Sequence, residues 1–149
     1  MSDFEDRFAI WELIDRWSDA GRQRDWDALE SVLTEDGVWE SGPPFSFIAQ
    51  GSKNVVAAAK EKVSSMEFLV QIPLTRVIWV EGNQAKARCA IQEVCRYKDG
   101  RGMQIFATYS DDLVKTDKGW RFKRRSFLIE CLNQEPPAGQ LLNPMTVKD

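Results

Sequence analysis

The sequence contains no histidine. That absence removes Ser-His-Asp and Cys-His nucleophile systems, HExxH zinc sites and every histidine general base. Acid–base chemistry here has to use carboxylates, tyrosine, lysine or cysteine. Cysteine is scarce as well: Cys89, Cys95 and Cys131 are an odd number without metal-ligand spacing. They read as reduced, buried thiols in a cytoplasmic protein. Histidine-free, oxygen-only metal binding stays open in principle, but no EF-hand-like run of ligands is present and no metal site is expected. With 20 Lys+Arg against 23 Asp+Glu the chain carries a formal net charge of −3, and no basic surface for nucleic acid is expected. Mean hydropathy of −0.41 and the lack of a long apolar run argue against a membrane span. The start, MSDFEDRF, lacks the basic-then-apolar pattern of a secretion signal.

What is present is a chain of 149 residues, 43% of them hydrophobic, enough for one domain with a real core. From Phe4 to Gly21 the apolar residues Phe8, Ile10, Trp11, Leu13, Ile14 and Trp17 take one side of a helical period, and Asp6 falls among the polar residues opposite. Gly21 reads as its end. Asp25 reads as the cap of a second helix, Trp26 to Leu33, and the alanine-rich NVVAAAKEKV marks a third from Ser52 to Ser64. Between them, Val38-Trp39 reads as a short apolar piece broken by Gly42-Pro43-Pro44. From Leu69 the period becomes two. Strands are predicted over Val70–Glu81, Gln84–Lys98, Gln104–Lys115 and Gly119–Cys131, joined by short turns such as Gly82-Asn83. Helices followed by an antiparallel meander imply an α+β domain over residues 1–131. Residues 132–149, with Pro136, Pro137 and Pro144, read as a tail.

The segment RWSDAGRQRDWDALESVLTEDGVWES, Arg16 to Ser41, resembles the opening of the SnoaL-like branch of the NTF2-like superfamily. So does ATYSDDLVKTDKGWRFKRRSF, Ala107 to Phe127, and VIWVEGNQAKARCAI resembles the family's strand–Gly–strand hairpin. The resemblance implies a cone: three N-terminal helices packed in a curved antiparallel sheet around a deep apolar pocket. It implies kinship with scytalone dehydratase, ketosteroid isomerase and bile acid dehydratase types, and with non-catalytic binding modules. Homo-oligomers, dimers or trimers, are implied too, paired through a sheet face that Phe106, Val94 and Ile129 would cover. SnoaL-like dehydratases place a Tyr and, five residues later, an Asp at the end of the first helix; Trp17 and Arg22 stand there in this sequence. Gln71 matches the catalytic His, Glu93 a second acid, and Arg125 an Arg after the GWR motif. The missing Asp–His pair argues against ordinary dehydration.

Glu93 shares its strand face with Ala85, Ala87, Cys89, Ile91, Cys95 and Tyr97. A carboxylate on such a face is either paired in a salt bridge or raised in pKa by desolvation, which suits a general acid or base. Arg22 is either a pocket guanidinium that stabilises negative charge or a solvated member of Arg22-Gln23-Arg24. Arg125, placed by alternation opposite Phe122, is either a substrate contact or a partner for an acid such as Asp111. Tyr109 is either a proton or hydrogen-bond donor or a buried phenol that packs with its hydroxyl satisfied. Gln71 can orient a substrate oxygen. Trp17, Trp39, Phe45, Phe47 and Trp79 read first as core, and some of them as pocket walls for a flat ligand.

The function expected is a cofactor-independent lyase or isomerase on a small apolar, aromatic or polycyclic substrate. The reactions in view are elimination, proton transfer, or retro-aldol-type cleavage such as loss of formaldehyde from a diaryl-propane diol. Glu93, Arg22 and Tyr109 would be catalytic; Trp17, Trp39, Phe45, Phe47, Gln71 and Arg125 would bind substrate. The rival is a binding module that has lost its catalytic dyad.

Overall fold

The computed structural model describes residues 3–144. Helix α1 (Asp3–Gln23) opens with Asp3, Glu5 and Asp6 at its positive end and carries Arg22 in its last turn. Its inward stripe is Ile10, Leu13, Ile14 and Trp17, an i, i+3, i+4, i+7 set. The stripe is narrower than its composition predicts, because Phe8 and Trp11 are exposed. The Trp11 ring is instead covered by the Arg76 guanidinium, 4.4 Å from its centroid. Asp6 is buried rather than solvated: its Oδ1 accepts from Lys115 Nζ and Trp120 Nε1, both at 2.8 Å.

Gly21 does not end this helix. The chain continues to Gln23 and leaves it at Arg24, whose φ of 56° is the left-handed turn residue. Arg24 is held there because its Nη2 donates to the carbonyls of Val63 and Met66, at 3.1 and 2.6 Å. Helix α2 (Trp26–Ser31) starts where predicted, with the Asp25 carboxylate accepting from Ala28 N at 3.0 Å.

Two strands follow that the sequence pattern does not announce, β1 (Leu33–Ser41) and β2 (Phe47–Gln50). Then come α3 (Ser52–Val63), β3 (Met66–Glu81), β4 (Gln84–Tyr97), β5 (Gly102–Thr116) and β6 (Gly119–Asn133). The six strands form one sheet in the order β2-β1-β6-β5-β4-β3. Strands β3 to β6 are the expected antiparallel meander, but β1 runs parallel to β6, so the sheet is mixed. The three helices pack on its concave side, and the core fills the space between, from Ile14 and Leu29 to Ile91 and Phe122.

One bulge decides which β6 residues face that core. From the Gly119 hairpin to Phe122 the register is regular, and then it shifts by one residue between Leu113 and Asp112. Phe122 and Arg125 therefore both point inward, and Arg125 lies opposite Asp111 rather than on the outer face. The same shift turns Ile129 inward beside Ala107, so the outer face carries Leu128 in its place. Trp79, a core residue by its sequence pattern, is exposed, and so is Cys131, whereas Cys89 and Cys95 are buried as expected.

Candidate functional site

A cavity of about 210 Å³ opens between α1, α3, β2 and the concave face of the sheet. Its walls are largely aromatic: Trp17, Trp39, Phe45, Phe47, Tyr109 and Phe127 line it. Trp17 and Trp39 meet edge to face with centroids 5.5 Å apart, and Trp39 does the same with Phe47 at 4.7 Å. Helix spacing supplies the other wall, since Trp17, Ser18 and Gly21 share one side of α1, and Ala59, Lys62 and Val63 share one side of α3.

Into this apolar space the sheet brings a short polar chain. The β3–β4 register sets Gln71 opposite Glu93. Ser18 Oγ donates to Gln71 Oε1 at 3.0 Å, and Gln71 Nε2 donates to Glu93 Oε2 at 2.8 Å. The same amide donates toward the Tyr109 phenol. Burial pushes the Glu93 carboxyl above the ordinary glutamate range, against the pull of the Gln71 hydrogen bond and the Lys62 charge. Burial also pushes Tyr109 up to about 12, so it is a phenol donor at neutral pH. Tyr97 is pushed up to about 12 by burial, with Cys95 beside it. Lys62 is shifted the other way, its desolvated ammonium lowered from the usual lysine value.

Of the residues singled out from sequence, Glu93, Tyr109, Gln71, Trp17, Trp39, Phe45 and Phe47 are brought together around this one cavity. Two are not. Arg22 is exposed outside it, because α1 continues through Gly21 and carries Arg22 round to the solvent side. Arg125 is buried behind the wall. Its Nε and Nη2 donate to Asp111 Oδ1 and Oδ2 at 2.8 and 3.0 Å, and its guanidinium lies 3.9 Å from the Tyr109 centroid and 4.9 Å from that of Trp17. It braces the rings that line the cavity without lining it.

Sequence reasoning missed Ser18, Lys62 and Phe127. Lys62 had a signal: it stands three residues after Ala59 and one before Val63, on the inward side of an alanine-rich helix. Phe127 was hidden by the β6 bulge.

The sequence profile of the SnoaL-like domain matches residues 2–126. The chain belongs to the SnoaL-like family. This SnoaL-like chain also has close structural neighbours, and each shares its NTF2-like fold. A candidate aromatic ring hydroxylase from Novosphingobium aromaticivorans is 23% identical over 90% of this chain and 96% of its own, with a TM-score of 0.84. An NTF2-like protein with a cystatin-like fold from the same organism is 23% identical over 85% and 82%, at a TM-score of 0.74. Hexachlorocyclohexane dehydrochlorinase LinA-type3 from Novosphingobium barchaimii is 13% identical over 93% and 95%, at a TM-score of 0.82. No curated protein matches the chain significantly. The activities those names carry differ from one another, and identities this low establish the fold alone.

In chemical terms the SnoaL-like cavity offers a carboxyl raised above the ordinary glutamate range by burial, two phenols, Tyr97 and Tyr109, an amide that orients Glu93 and Tyr109, and one amine. No described helix is long and apolar enough to cross a membrane, and no group of three or more potential ligands among the described residues could hold a metal.

Proposed function

We propose that this SnoaL-like protein is a cofactor-independent lyase or isomerase that moves a proton on a small aromatic substrate. The observation that carries the reading is Glu93: a carboxyl raised in pKa by burial, facing an aromatic-walled cavity and oriented by Gln71. As a carboxylate it takes a proton from the substrate carbon or hydroxyl, and as the acid it returns one. Tyr109 donates a hydrogen bond to the oxygen on which charge develops, and Ser18 and Gln71 hold the geometry. Elimination, isomerisation and retro-aldol cleavage all fit that division of roles. The dehydrochlorinase among its neighbours is named for an elimination, which supports the reading without fixing the substrate.

Cavity size narrows the substrate. About 210 Å³ exceeds the roughly 150 Å³ apolar void that accepts one benzene, so one ring with a short side chain fits. A four-ring steroid does not fit within that space, and a diaryl-propane diol would leave one ring in the open mouth.

The rival is a binding module, favoured by the Trp17 and Arg22 that stand in the family's catalytic places. Screening single-ring ketones, halides and hydroxymethyl compounds by proton NMR without added cofactor separates the two. Turnover that Glu93→Gln abolishes supports the enzyme. Quenching of tryptophan emission by these compounds, with no turnover of any, makes it a binder.

A further inference from the structure

Lys62 is the only cation among the described residues that lines the cavity. Its Nζ lies 3.8 Å from the Phe47 centroid and 6.0 Å from that of Trp39. Glu61 and Glu93 act on it through their charge and not through a hydrogen bond. An amine packed against two rings at the cavity wall is partly desolvated, and that desolvation favours its neutral, nucleophilic form against the attraction of the ring faces for the ammonium. The shift of Lys62 has that direction and that cause. Lysine is also the side chain whose amine condenses with carbonyl carbon.

We propose that Lys62 forms an imine with a small aromatic aldehyde or ketone bound in the cavity. This rests on the cavity being where substrate reacts. The Lys62 nitrogen lone pair adds to the carbonyl carbon while the C=O π pair moves to oxygen, and a nitrogen proton passes to that oxygen. Glu93 in its acid form then protonates the resulting hydroxyl, which leaves as water as the nitrogen lone pair closes the C=N bond. The products are one iminium ion, one water and the Glu93 carboxylate, so charge and protons balance. The carboxylate so formed is the base for the next step. It takes a proton from the α-carbon, or from a β-hydroxyl whose C–C bond then breaks, and the electron pair passes into the iminium to give an enamine. The substrate class is therefore a single-ring aromatic carbonyl compound.

Reductive trapping tests this whether or not turnover follows. The protein is incubated with benzaldehyde and sodium cyanoborohydride, and the labelled lysines are located by peptide mass spectrometry. The expected result is a benzyl adduct on Lys62 that is absent from Lys53 and Lys60, which are exposed on the same helix. Benzyl alcohol, the same ring without the carbonyl, should suppress it by filling the cavity, and Lys62→Arg should lose it while keeping the charge. No adduct on Lys62, equal labelling of the three lysines, or labelling indifferent to benzyl alcohol overturns the proposal. If trapping fails while Glu93-dependent turnover persists, the Lys62 step falls and the acid–base reading stands.

Discussion

Gln71 holds Glu93 across the β3–β4 ladder, donating to its Oε2 at 2.8 Å while accepting from Ser18 at 3.0 Å. The amide thus has one orientation, and the donated hydrogen bond stabilises the charged carboxylate. Removing it should raise the Glu93 pKa further. Infrared titration of the protonated carboxyl band, identified by its loss in Glu93→Gln, should give a midpoint above the ordinary glutamate range. In Gln71→Leu that midpoint should lie higher still. A midpoint that stays or falls in Gln71→Leu contradicts the assigned hydrogen bond.

The raised pKa also has a consequence for stability. A carboxyl raised in the folded state favours folding most below its unfolded pKa of about 4.3, and that contribution is lost as pH rises through the folded value. Wild-type Tm should therefore fall relative to Glu93→Gln over the range just above ordinary glutamate titration. Asp6 and Glu40, lowered mainly by their hydrogen bonds to Lys115 and Ser126, titrate in both proteins and cancel in the difference. Parallel scanning fluorimetry across pH checks this; a constant difference in Tm contradicts it.

Arg125 and Asp111 form a bidentate pair with neither side chain more than 1% exposed. Arg125→Met strands the Asp111 charge, and breaking such a pair costs about 3–5 kcal/mol. For a domain of this size that lowers Tm by roughly 10 °C or more. Replacing both residues, Arg125→Met with Asp111→Leu, should recover most of the loss, because no buried charge is left alone. A single mutant as stable as wild type by calorimetry would show that the pair is not holding the wall behind Tyr109.

The convex sheet face carries Phe106 and Leu128 at 45% and 61% exposure, with Val94 of β4 on the same side between Val70 of β3 and Gln104 of β5. We propose that a second copy covers this face, since exposed apolar patches of this kind mark interaction surfaces. Sedimentation should show a dimer or trimer that Leu128→Glu shifts toward monomer. A stable wild-type monomer at micromolar concentration removes the proposal.

How far the sequence could be read follows from where the code is local. The period of two over β3–β5 and the stripe Ile10, Leu13, Ile14, Trp17 are local patterns, and the face shared by Glu93, Cys89 and Cys95 follows from alternation alone. β1 was not legible, because Leu33-Thr34-Glu35-Asp36-Gly37 has no alternation; it becomes a strand by lying parallel to β6, a pairing made only in three dimensions. Arg125 and Ile129 were placed on the wrong face by a single-residue bulge that leaves no signal in Lys123 or Arg124. Arg22 was misplaced because Gly21 looks like a helix end. The true end depends on Arg24 reaching the carbonyls of Val63 and Met66, roughly forty residues away.

If Glu93 exchanges a proton with a substrate held in the cavity, proton exchange into a bound ketone measures that step directly. Acetophenone is incubated with the protein in D₂O, and loss of its α-proton signal is followed by NMR. Wild type should exchange those protons faster than buffer alone. Glu93→Gln, equally folded and still quenched by the ligand, should be slower by about 10²–10⁴, the usual worth of a general base. Exchange at the same rate in both proteins would contradict the account and remove Glu93 from the chemistry.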